Sequence, residues 1–232
     1  MRFKLPAILL IFALLGGAHS PHAQAQASQC FGSVSHGRLE DGVKLPLSGP
    51  NFSAYSKLAA SLGRTHVHSK VAQIITQSYQ ALEKNAAGKQ FVYGETGWPK
   101  GGRIRPHRTH QNGLSVDFFV PVINAQGISE PLPISLSNKL GYNIEFDAAG
   151  HYQEFQIDFA ALAEHLYQLR IAAKAQGAGI AQVIIERSYL PRLFATPRGA
   201  AIRDLPFMKG KPWVRHDEHY HVDFAVACQP LS

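Results

Sequence analysis

Two short segments about a hundred residues apart constrain this chain more than anything else in it. His110-Gln-Asn-Gly-Leu-Ser-Val-Asp117 leads from a loop into an apolar, β-rich run, and His216-Asp-Glu-His219-Tyr-His221 leads into the last such run. In a strand, residues i and i+2 project from the same face, so His219 and His221 share one face while Tyr220 and Val222 take the other. Asp117 stands between Val116 and Phe118 in a presumed core strand. A carboxylate there is costly unless it is paired or bound to a metal. Together the two segments offer imidazole nitrogen and carboxylate oxygen, the donors that zinc takes in a tetrahedral shell with one corner left for water. Blander explanations stand beside this one. Asp117 could pair with Arg103, Arg105 or Arg108, and His219 and His221 could be surface histidines on an edge strand.

The chain opens on Met1-Arg-Phe-Lys4, continues with an apolar run from Leu5 to Leu15, and then shows Ala-x-Ala endings at 23–25 and 25–27. That is the order of a secretory signal peptide, and the run is too short to span a bilayer comfortably. Residues 1–27 are therefore expected to be a leader, and 28–232 one exported, periplasmic domain with no membrane span. The two cysteines, Cys30 and Cys228, fall near opposite ends of that domain. In an oxidising compartment two cysteines usually pair. Lys and Arg number 23 against 16 Asp and Glu. The excess draws a protein toward polyanions such as cell-wall carboxylates and phosphates, although an ordinary basic surface gives the same count. No basic block of the kind that binds nucleic acid is present.

Periodicity predicts a helix over 67–87, with Val67, Val71, Ile74, Ile75, Ser78 and Leu82 on one stripe, and a second over 159–176, capped by Asp158 and ended by Gly177. Strands are expected at 91–93, 114–123, 180–186 and 219–227, with a short helix at 189–194. Residues 28–60 read as an irregular arm, 94–108 as a Gly- and Pro-rich loop, and 124–151 as a variable region. Helices and strands do not alternate regularly, which points to an α+β fold: an antiparallel sheet core with flanking helices. His66 and His68 read as surface residues. His165 reads as a helix residue without a catalytic role, and Trp98 and Trp213 as core or groove aromatics.

Three blocks carry a resemblance. Gly94-Glu-Thr-Gly-Trp-Pro-Lys-Gly-Gly-Arg103, followed by His107-Arg-Thr-His110-Gln-Asn-Gly-Leu-Ser-Val-Asp117, is similar to a Gly-rich loop and H-x-x-H-Q-x-G-L-x-V-D. Lys211-Pro-Trp-Val-Arg-His216-Asp-Glu-His219-Tyr-His221-Val is similar to P-W-x-x-H-x-x-H-x-H-V, and Gly32-Ser-Val-Ser-His-Gly37 to a domain start. In these blocks the chain resembles the penicillin-insensitive murein endopeptidases, within the lysostaphin-type and D-Ala-D-Ala metallopeptidase group.

The resemblance implies zinc held by His110, Asp117 and His221, with His107 at the site or at a second metal. Asp147 and His151 resemble a mid-chain Asp/His pair, at a spacing one residue longer than the family's. The resemblance also implies metal-activated water cutting peptide cross-links of peptidoglycan. His219, or His216 in its place, would move the proton. A D,D-carboxypeptidase or dipeptidase of the same group, or a non-catalytic zinc- or wall-binding module, would use the same ligands. An intact His216 and His219 favours an enzyme, because a binder needs no poised base.

Overall fold

The structure, a computed structural model, describes residues 27–231. The expected leader lies outside them but for Ala27. Gln29–Ser33 (β1) and His36–Glu40 (β2) form an antiparallel hairpin, followed by Val43–Lys44 (β3), Phe52–Ala54 (β4), Lys57–Ser61 (α1) and His66–Val67 (β5). Ser69–Asn85 (α2) leads to Phe91–Tyr93 (β6), Ser115–Phe119 (β7), Val122–Ile123 (β8) and Ser129–Glu130 (β9). His151–Tyr152 (β10), Phe155–Ile157 (β11) and Phe159–Ala175 (α3) come next. Gly179–Ile184 (β12), Leu190–Phe194 (α4), Gly199–Ile202 (α5) and His219–Ala225 (β13) complete the order.

The fold is α+β. A five-stranded sheet in the order β12-β13-β7-β6-β4 is antiparallel throughout except for the parallel edge pair β4–β6. A four-stranded sheet, β10-β11-β8-β9, and two two-stranded ribbons flank it. Helix α2 buries Val71, Ile74, Ile75, Ser78 and Leu82 of the predicted stripe together with Tyr79, while Val67 falls in β5 ahead of the helix. The Asp158 carboxylate accepts from Ala161 N at 2.9 Å to start α3. Among the described residues no helix is long and apolar enough to cross a membrane.

Three expectations need correction. Residues 28–60 are not an irregular arm: they supply the β1–β2 hairpin, edge strand β4 and helix α1. Run 114–123 is two strands rather than one, because Pro121 has no N–H to continue the ladder. His68 is buried, not on the surface; its Nδ1 accepts from Lys70 N at 3.1 Å and caps α2. Cys30 and Cys228 are bonded, tying β1 to the segment after β13. A closure this long is worth on the order of 4–5 kcal/mol in the chain-entropy model.

Helices α2 and α3 cover one face of the large sheet. There His165 Nδ1 and the Tyr220 hydroxyl meet at 2.5 Å, and Tyr79, Phe91 and Phe118 surround the imidazole. Burial pushes the His165 pKa down to about 3. The native state thus keeps this ring neutral where the unfolded chain, with an ordinary histidine near 6.5, takes up a proton. Stability contributed this way is present above pH 6.5 and is lost as pH falls toward 3. Between pH 7 and pH 5 the loss is about 2 kcal/mol. Urea unfolding at both pH values should show His165→Phe losing less stability than the unmodified protein by about that amount. Equal losses would contradict this account.

Candidate active site

Tyr220 faces the helices, so its neighbours His219 and His221 face the other way. In the β7–β13 ladder His221 stands directly opposite Asp117, and His219 opposite Phe119. Directly opposed residues bring their side chains close, and His221 Nδ1 lies 2.8 Å from Asp117 Oδ1. The Asp117 carboxylate is 1% exposed. None of Arg103, Arg105 or Arg108 pairs with it, so that explanation falls. Its neighbours are His221, the Tyr142 hydroxyl, which donates to Oδ2 at 3.0 Å, His110 Nε2 at 3.3 Å from Oδ1, and His107 Nδ1 at 3.7 Å from Oδ2. Gly94 makes room here: a Cβ on it would sit 2.6 Å from the Tyr142 hydroxyl and 3.0 Å from Asp117 Cβ.

His110 is held in the left-handed region, at φ 68°, where a side chain other than Gly is uncommon and local bonds must hold it. Its backbone N–H donates to Ser115 Oγ at 3.2 Å, and its Nδ1–H donates to the Thr96 carbonyl at 3.0 Å. Donation from Nδ1 leaves Nε2 with its lone pair toward Asp117. That atom is buried and makes no hydrogen bond. An orphaned imidazole nitrogen beside a buried carboxylate fits a metal ion. His107, His110 and Asp117 present ligand atoms all within 4.8 Å of one another, and such a cluster could hold one. His221 joins from the other side through Asp117.

A further layer fixes these rings, and sequence reasoning missed it. Asp223 Oδ1 accepts from His221 Nε2 at 2.7 Å and from Ser115 Oγ at 2.6 Å, so a single Ser–Asp pair steadies both His221 and the backbone of His110. Asp223 lies two residues after His221, and the strand period was the signal for it. Glu95 Oε2 lies 2.7 Å from His107 Nε2, and the carboxylate also takes Arg64 and the Tyr55 hydroxyl. Burial pushes the Glu95 carboxyl up, but His107 and Arg64 outweigh it and hold the group at about 2.

Beside this cluster the His216 and His219 rings lie 4.6 Å apart. His216 Nδ1–H donates to the Val214 carbonyl at 3.0 Å. Burial, with the neighbouring His219, lowers its pKa to about 3. His219 Nδ1 faces Glu218 Oε1 at 2.7 Å. Burial works against protonation of His219, yet Glu218 and Asp117 raise its pKa overall. His107, Asp117, His216, Glu218, His219 and His221 line a cleft of about 620 Å³, which also takes in Trp213, Arg64 and Tyr142, while His110, Ser115 and Asp223 lie behind its wall. Trp98 has a structural place instead, donating from Nε1 to the Arg103 carbonyl. Asp147 and His151 do not join the cluster: both are more than half exposed and close a surface turn, His151 N donating to Asp147 Oδ1 at 2.8 Å.

A buried His/Asp cluster on the floor of a cleft, with two further histidines poised beside it, is the kind of centre a hydrolase uses. The model of the family described as penicillin-insensitive murein endopeptidase matches residues 30–230. The chain belongs to that family. It is similar to the penicillin-insensitive murein endopeptidase of Klebsiella pneumoniae subsp. pneumoniae, at 29% identity over 107 residues, 46% of this chain and 38% of that protein. The protein of the same name from Salmonella typhi is 23% identical over 216 residues, 91% of this chain and 71% of its own length. The chain thus spans less than half of the Klebsiella relative.

Proposed function

We propose that this chain is a zinc-dependent endopeptidase that cuts peptide cross-links of the D-Ala to diaminoacid type in peptidoglycan. The observation that carries the reading is the unpartnered His110 Nε2 facing the buried Asp117 carboxylate. His110, Asp117 and His221 would hold the ion, with His107, oriented by Glu95, beside them. Zinc when bound supplies Lewis-acid activation of a water and of the scissile carbonyl. The remaining work belongs to side chains. Glu218 engages His219 Nδ1 and so aims Nε2 into the cleft. From that atom His219 takes the proton of the attacking water and returns one to the departing amine, the exchange a positioned imidazole performs. His216 is a second catalytic histidine; burial keeps it neutral, and its Nε2 can accept a hydrogen bond from water or substrate.

The same proposal takes residues 1–27 as an export leader, 28–232 as the mature domain and the periplasm as its place. The Cys30–Cys228 bond supports this, since structural disulfides persist in oxidising compartments. Digestion of purified cross-linked muropeptides, read by mass spectrometry, tests the function. Chelator-sensitive release of monomers is expected. Loss of a terminal D-Ala alone would make the protein a carboxypeptidase, and binding without products would leave a wall-binding module.

Asp223→Asn tests the supporting layer. Loss of an outer carboxylate partner typically costs about 10–100-fold in metal affinity. Competition with a chromogenic chelator should show that loss with the fold retained. Unchanged affinity would remove Asp223 from the site.

A further inference from the structure

Three segments of this chain combine basic residues with a lack of acids beside the cleft. Of its 23 basic residues, eight lie in segments 96–116, 131–144 and 205–216, which contain no Asp or Glu. The rest of the chain holds fifteen basic against sixteen acidic residues. The three segments contribute to the cleft wall through Pro106, His107 and Thr109, through Leu136, Lys139, Leu140 and Tyr142, and through Trp213 to His216. Lys100, Arg103, Arg105 and Arg108 on the first, Lys139 on the second, and Lys209 and Lys211 on the third are exposed. Among the described residues these seven make no ion pair. The eighth, Arg215, is matched by Glu145 and Asp217. The first and third segments touch where the Arg108 guanidinium lies 5.6 Å over the Trp213 ring.

The cleft's own acids are matched inside it, Glu95 by Arg64 and His107, Glu145 and Asp217 by Arg215, and Glu218 by His219, which leaves the seven exposed cations of the flanking loops without a counter-charge. Their fields add over a low-dielectric cleft and focus anions toward it. At physiological ionic strength such a field reaches about 8 Å, enough to join neighbouring loops but not the far side of the domain.

We propose that the rim of the cleft is a docking surface for an extended polymer bearing many carboxylates. The polymer lies across the loops carrying Arg103, Arg105, Lys209 and Lys211 while one of its peptides enters the cleft. The proposal rests on the endopeptidase reading and adds to it how the enzyme is held on an insoluble substrate: by charges outside the reacting centre.

The test uses the mature protein with chelator present, so that no turnover occurs, and measures co-sedimentation with purified peptidoglycan at low and high salt. A second wall preparation has its carboxylates converted to neutral amides. Binding to the native wall is expected to fall with salt, and to fall about tenfold on the amidated wall, the lower end of what steering by charge supplies. The variant Arg103→Gln, Arg105→Gln, Lys209→Gln, Lys211→Gln should lose a similar factor on the native wall, with its thermal unfolding compared alongside. Equal retention on native and amidated walls overturns the proposal, and that arm needs no variant. Tighter retention of a DNA duplex than of the wall overturns it too. Hydrolysis of a small soluble cross-linked fragment by the unmodified enzyme reports separately on the endopeptidase reading. Hydrolysis with charge-indifferent wall binding removes the docking surface alone, whereas charge-dependent binding without hydrolysis removes the enzymatic reading alone.

Discussion

His221→Ala is expected to lose zinc and hydrolysis together. The ring sits between two buried carboxylates, 2.8 Å from Asp117 and 2.7 Å from Asp223. Burial pushes His221 down, but Asp223 and Asp117 outweigh it and raise its pKa to about 10. Truncation removes one donor for the ion and also leaves the two carboxylates facing each other. The loss of affinity should exceed the roughly 100-fold that an outer partner is worth. Zinc content by elemental analysis after dialysis is the measurement. Because facing carboxylates also destabilise, His221→Gln is a second variant that keeps a polar side chain at the position. A full equivalent of zinc in a folded variant would refute the ligand set.

His219→Ala should behave differently. This ring is held by Glu218 rather than by Asp117 or Asp223, so the ion should remain while turnover falls by about 10²–10⁴, the usual worth of a positioned acid–base group. The split between retained metal and lost kcat is the signature. A variant at full rate would move the proton transfer to His216, whose ring lies 4.6 Å away.

Much of this centre was legible before any coordinates. Helices α2 and α3 declared themselves by a 3.6-residue apolar stripe, α3 also by its Asp158 cap, and β13 by alternation that put His219 and His221 on one side. Asp117 was visible because a carboxylate in an apolar run needs an explanation. What stayed hidden depends on contacts distant in the chain. Glu95 looks like one polar residue in a glycine-rich loop until Arg64 and His107 arrive from elsewhere. The β1–β2 hairpin is written in Gly and Ser, and no local pattern shows that Phe31 bridges to Gln229 at the other end of the domain. His68 looks exposed because its burial comes from tertiary packing.

The opposed faces of β13 have a practical consequence. A slip of the β7–β13 pairing by one residue would turn Tyr220 into the cleft and drive His219 and His221 in among the aromatic rings beneath the helices. No misregistered chain could assemble the donor cluster, and none could seat the tyrosine against His165. On the proposed zinc reading, a metal titration on freshly refolded material would therefore count correctly paired molecules directly, giving an assay of refolding yield that needs no substrate.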